Sequence, residues 1–83
     1  LVLADLPGND IILCQITSQF KKSRYAVPIT NSDFANGGLP VHSYIRPTRI
    51  FTADKNIILR KAGSLKSPVT KLVLEQVISI FTL

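Results

Sequence analysis

The sequence predicts a small α+β domain, mainly β, in which short antiparallel strands form a twisted sheet or partly open barrel closed by one C-terminal helix. Three observations predict it. Short β-rich apolar runs alternate with turn signals along the first three quarters of the chain. One helix start, Ser67-Pro68, precedes apolar residues at helical spacing up to Phe81. The length of 83 residues, at 46% hydrophobic and 18% charged, fits one folded domain and excludes a disordered chain.

The elements follow in order. Leu1-Val2-Leu3-Ala4 reads as a strand already under way, and the sequence contains no methionine, so a trimmed chain or fragment lacking N-terminal material is expected. Pro7-Gly8-Asn9-Asp10 is a dense turn signal. Ile11 to Thr17 is a β-rich run with the character of a buried strand, in which Cys14 is a small core residue. The segment Phe20 to Arg24 carries Lys21, Lys22 and Arg24 and is followed by Tyr25. A basic loop between two aromatics suits a clamp on single-stranded nucleic acid, by charge and base stacking, and equally suits the charged tip of a hairpin. Tyr25 to Thr30 is a third strand, confined by Pro28 to an edge or a bulge. Asn31 to Gly38 is a polar loop in which Asn36-Gly37-Gly38 permits a positive-φ turn. His42 is a strand residue, and Ala53 to Asn56 a turn before a strand at Ile57 to Lys61. Gly63 and Ser64 loosen the chain ahead of the helix, with Ser67 as N-cap and Pro68 at the first helical position. Along that helix Lys71 and Glu75 are spaced as an opposite-charge pair on a narrow polar stripe. Helices apolar over most of their circumference are buried on two sides, so one side is expected on the sheet and the other on a second subunit.

Ten Lys and Arg against five Asp and Glu give a net charge of +5, which favours a nucleic acid, another polyanion or an acidic protein partner. A single cysteine cannot form an internal disulfide, so a reducing, cytoplasmic setting is expected. No apolar run approaches membrane-spanning length. One histidine and one cysteine cannot build a zinc site within the chain, and neither a metal nor a cofactor is expected. Ser32 and Asp33 have no histidine close in sequence, so no hydroxyl–histidine pattern arises, while a general-base role stays open for His42.

The stretch Ser43 to Thr52 carries the densest chemistry. At period two, Tyr44, Arg46 and Thr48 point to one side and Ile45, Pro47 and Arg49 to the other. A guanidinium beside a hydroxyl can hold a phosphate, the arginine through its bidentate fork. The alternative is a solvated basic strand. Pro47 cannot donate to a ladder, so this point is an edge, a bulge or a strand end.

Three of these segments together resemble the MazF/PemK family of type II toxin–antitoxin ribonucleases. Pro28-Ile29-Thr30-Asn31-Ser32 is similar to the family's strand that ends in threonine before a polar loop. Tyr44-Ile45-Arg46-Pro47-Thr48 is similar to the segment that carries a catalytic arginine in PemK-like members. A short strand, Gly63-Ser64-Leu65 and the helix from Val69 to Phe81 are similar to the family's ending. Leu1 to Ala4 would follow the family's N-terminal Arg-Pro.

The resemblance implies a compact SH3-like barrel, a homodimer joined through the C-terminal helix and sheet, and a short acidic antitoxin as partner. It also implies metal-free cleavage of single-stranded RNA, in which the ribose 2′-OH attacks the adjacent phosphate. Arg46 would then be the catalytic acid or charge stabiliser and Thr30 a donor to phosphate. Thr48 falls where PemK-like members carry a catalytic aspartate, and threonine is no general base. Lys21, Lys22, Arg24, Tyr25, Ser32 and Arg49 would contact the RNA. The family's N-terminal arginine, and any histidine in its first loop, would precede Leu1. A non-catalytic module that binds an antitoxin or nucleic acid is the second expectation, and a gyrase-binding toxin the third. RNA cleavage separates the first expectation from the other two.

Overall fold

The computed structural model describes residues 1–19 and 22–82. The described residues form six strands and one α-helix: β1 (Val2–Asp5), β2 (Asp10–Thr17), β3 (Val27–Ile29), β4 (Phe34–Gly37), β5 (Ser43–Asp54), β6 (Gly63–Leu65) and α1 (Ser67–Phe81). Two 3-10 turns, Asn31–Asp33 and Lys55–Ile57, punctuate them. The larger sheet has the order β1-β2-β5-β3, with every neighbouring pair antiparallel, and β4 pairs β6 in a second small sheet. The fold is thus a mainly antiparallel, curled half-barrel with one C-terminal helix.

Local chemistry explains most of these elements. Gly8 takes φ of +80° in the β1–β2 turn, a conformation that costs glycine little. The same turn is fastened from across the sheet by Lys55, whose Nζ donates to the carbonyls of Leu6 (2.8 Å) and Gly8 (3.0 Å) and pairs with Asp5 (2.5 Å). The Lys55 backbone N–H donates to Asn9 O at 2.7 Å. Pro28 lies in β3, an edge strand, where the missing donor leaves no gap in the ladder. Pro47 lies in the central strand β5, and there the ladder breaks. Cys14 pairs with Ile50 but Gln15 pairs with Arg46, so Pro47, Thr48 and Arg49 bulge out without partners on β2.

Cys14, Val27, Ile29, Ile45 and Val73 form the buried core, so the sheet and α1 meet at Val73. Val69, Leu1, Leu3, Ile16, Phe34 and Leu65 pack around them. Burial pushes the Cys14 thiol above its ordinary pKa. The protonated Sγ then donates to the backbone carbonyl of Arg46 at 2.8 Å.

Several sequence expectations need correction. The third strand covers Val27–Ile29 rather than Tyr25 to Thr30. Residues 57–61 form no strand: Ile57 ends a 3-10 turn and 58–62 are irregular, with Leu59 96% exposed. An apolar run makes a strand only where a ladder partner is available, and none lies beside this one. The strand falls instead on Gly63–Leu65, paired with β4, which forms inside the segment expected as a polar loop. Close backbone approach makes that pairing possible. A Cβ on Gly37, whose φ is +66°, would lie 2.2 Å from Ala62 O, and one on Gly63 would lie 2.4 Å from Asn36 O. The helix starts one residue early, with Lys66 as N-cap and no side-chain cap bond, so Ser67 does not cap it. Lys71 and Glu75 are both exposed and make no ion pair; among the described residues the one ion pair is Lys55–Asp5.

Candidate nucleic-acid interface

Alternation along β5 separates two faces. Ser43, Ile45 and Pro47 are buried toward the core, leaving Tyr44 and Arg46 on the outer face. On β2, Cys14 and Ile16 pack inward, so Gln15 and Thr17 share that outer face. Cross-strand register then sets Gln15 directly opposite Arg46 and Thr17 opposite Tyr44. On the other flank Pro28 lies opposite Tyr44.

Arg46 is the centre of this face. Its Nη1 donates to Gln15 Oε1 at 3.0 Å, which fixes one arm of the guanidinium. Its Nε is buried and has no partner among the described residues. A buried donor left unpaired costs about 1–3 kcal/mol, and an anionic oxygen would relieve that cost better than any neutral acceptor. Thr17 Oγ1 lies two residues along β2 from Gln15 and accepts the Gln19 N–H at 3.1 Å, which orients its hydroxyl at the end of the strand.

The other sequence-predicted residues distribute around this centre. Thr48 and Arg49 sit in the β5 bulge and are exposed, separated from Arg46 by Pro47. The bulge interrupts period two, so Arg49 does not follow Ile45 and Pro47 into the core. Lys22 and Arg24 are exposed in the loop from β2 to β3. The Arg24 guanidinium lies 4.9 Å from the centroid of the Tyr25 ring, a cation–π arrangement. Since Val27 pairs with Ile45, the residue before it is level with Arg46, and the basic loop enters β3 at the arginine end of the face. Lys21, and Phe20 beside it, lie outside the described residues.

Thr30 and Ser32 sit at the opposite end. Ile29 pairs with Ser43, so Thr30 is level with His42, which lies one residue before β5 and not in a strand as expected, four residues from Arg46 and roughly 13 Å away. The Asp33 carboxylate accepts the Thr30 N–H at 2.8 Å, and the Thr30 and Ser32 hydroxyls are 2.8 Å apart. Thr30 therefore shares the outer face with Arg46 without touching it.

Gln15 and Thr17 are the residues that sequence reasoning passed over. Their signal was present, as two polar side chains at alternate positions of an otherwise apolar strand. Among the described residues, no group of three His, Cys, Asp or Glu side chains converges as a metal site would require. No described helix is long and apolar enough to cross a membrane.

Comparison with known proteins gives the chain a family. In fold the chain is similar to a solved endoribonuclease from a mycobacterial species, with a TM-score of 0.74 at 16% identity, over 93% of this chain and 68% of that one. No curated protein matches the chain. The model of PemK-like, MazF-like toxins of type II toxin–antitoxin systems matches residues 1–81, and the chain belongs to that family.

Proposed function

We propose that the protein is the toxin of a type II toxin–antitoxin pair, a metal-independent endoribonuclease that cuts single-stranded RNA at short sequences and arrests growth in the cytoplasm. The observation that carries this reading is Arg46, a half-buried guanidinium with one arm pinned by Gln15 and its Nε–H unpaired. Such a group is pre-organised for a phosphate, and positioned positive charge is what phosphoryl chemistry needs most.

The step is an internal transesterification. The 2′-oxygen bonds to phosphorus and gives up its proton, the P–O5′ bond breaks, and the departing 5′-oxygen takes a proton. The products are a 2′,3′-cyclic phosphate and a 5′-OH. Arg46 stabilises the extra charge on the phosphorane, and Thr17 and Thr48 are hydroxyl donors beside it. Lys21, Lys22, Arg24, Tyr25 and Arg49 hold the strand by charge and stacking. Family membership supports an antitoxin partner. The net charge of +5 suits an acidic one, and the apolar groove between Leu13, Ile58 and Leu59, edged by Arg60 and Lys61, gives such a chain a place to lie.

One observation favours a second reading, a non-catalytic binding module. By the resemblance Thr48 falls where PemK-like members carry an aspartate, and among the described residues the side chain bonded to Arg46 is the neutral Gln15. Incubating the protein with single-stranded RNA in EDTA, followed by end-group analysis, separates the two. Cuts ending in cyclic phosphate are expected, and Arg46→Ala should slow them about 10²–10³-fold. Intact RNA from folded protein, or an Arg46→Ala variant as fast as wild type, would sink the catalytic assignment.

A further inference from the structure

Pro47 sits in the central strand with its ring fully buried, and the β2–β5 ladder breaks beside it. Gln15 pairs with Arg46, but the residue before it, Cys14, pairs with Ile50. We infer that Cys14 and Pro47 are positioning residues for Arg46, holding the root of that side chain from inside the sheet while Gln15 holds its tip from outside. The clamp rests on geometry, and its part in RNA cleavage rests on the ribonuclease reading.

The hydrogen bonds around Arg46 explain why a side chain is needed here. Pro47 offers no N–H to either neighbouring strand. The Cys14 N–H is turned away from β5, to Leu1 O at 2.8 Å. On the other flank the pairing with β3 ends at Val27 and Ile45, and the Ala26 N–H turns to Ser23 O at 3.3 Å. The ladder that runs up from Ser43 therefore ends at Arg46. The Cys14 thiol adds the next bond, donating to Arg46 O at 2.8 Å. Burial raises the pKa of that thiol, so it stays protonated and keeps its donor at neutral pH.

Consecutive residues of a strand point to opposite faces, so Cys14 and Gln15 reach the same arginine from the two sides of the sheet. Gln15 Oε1 accepts from Nη1 at 3.0 Å, and the thiol fixes the main chain from which the side chain springs. An arginine side chain has several rotatable bonds, and pinning its tip alone leaves its root free to swing. With both ends held, the buried Nε–H, which has no partner among the described residues, keeps one direction. Pro47 acts in the complementary sense. Its fixed φ and missing N–H keep the bulge of Pro47, Thr48 and Arg49 from being drawn into the ladder with Cys14.

The test follows the Arg46 Nε–H resonance in proton–nitrogen correlation spectra, together with steady-state cleavage of RNA. Cys14→Ala removes the thiol donor, and Cys14→Ser returns a donor at nearly the same place. The alanine variant should move the resonance toward its value in an unfolded chain and lower kcat about three- to tenfold, with KM within about twofold. The serine variant should recover the resonance and bring kcat to within about twofold of wild type. A role in packing alone predicts the reverse order, because a hydroxyl in an apolar core is the worse substitute. Pro47→Val supplies an N–H and frees φ, and should displace the resonance as Cys14→Ala does. A wild-type resonance in both Cys14→Ala and Pro47→Val, or a serine variant no better than the alanine one, would overturn the inference. The expected resonances from a protein that leaves RNA intact would keep the clamp and reject the ribonuclease reading instead.

Discussion

At the scale of single residues, the contact between Gln15 and Arg46 decides how the guanidinium presents itself. Arginine offers five N–H donors in a rigid fork, so pinning Nη1 orients the whole planar group, with the buried Nε–H left unpaired. Gln15→Leu removes the acceptor with little change in volume. It should lower kcat about tenfold, as expected for losing one oriented contact, while KM stays within about twofold. Gln15→Glu should restore the orientation but weaken RNA affinity, because it neutralises the charge. Equal loss of kcat and rise of KM in Gln15→Leu would mean a general disturbance of the strand. Arg46 could be singled out from sequence because an arginine beside hydroxyls is a local pattern. Gln15 and Thr17 could not, since their role depends on which β5 residues they face. That register turns on the bulge at Pro47–Arg49. Proline announced an irregularity there, but nothing local said that it would take up three residues.

At the scale of elements, α1 shows how much a periodic pattern can reveal. Val69 and Val73 pack on the core, while Leu72, Leu74, Ile78 and Phe81 remain exposed, Ile78 at 60% and Phe81 at 75%. The sequence predicted two apolar sides, and the sheet covers one. We propose that a second copy covers the other. Ile78→Asp together with Phe81→Asp should convert a species of twice 9.1 kDa into a monomer by sedimentation velocity, weakening association tenfold or more. A wild-type chain that sediments as a monomer at high concentration would refute it. The errors lay where pairing partners decide the element. The Ile57–Lys61 run had strand composition and no neighbour, whereas Phe34–Gly37 had turn composition and a neighbour in β6. Composition reports what a segment prefers, and a ladder needs two segments.

At the scale of the whole molecule, surface and charge are the informative quantities. The chain exposes 5860 Å², against about 4900 Å² for a compact monomer of its mass. The difference is close to the roughly 800 Å² that each partner buries in a standard interface. It agrees with the uncovered helix face. The excess of cations has its own signature, because each phosphate neutralised on a single strand contributes about 0.7 to the slope of log affinity against log salt. Lys22→Ala with Arg24→Ala should flatten that slope by about 1.4 and weaken all single-stranded sequences alike. A change in base preference, with the slope preserved, would assign these residues to reading bases.

Lys55 gives the molecule a gradient of stiffness. One ammonium group collects two carbonyls and a carboxylate from the β1–β2 turn, and its own amide closes on Asn9, so the sheet is stapled at that end. Among the described residues, no comparable fastener joins the stretch from Lys22 to Tyr25 to the rest of the chain. Deuterium should therefore reach the Lys55 amide only when the whole domain opens, and reach the amides of Lys22 to Tyr25 within ordinary local breathing. Exchange at equal rates would remove the gradient. If it holds, the ordering entropy of gripping an RNA falls on the basic loop, and the stapled end is free to serve as the rigid frame against which that loop closes.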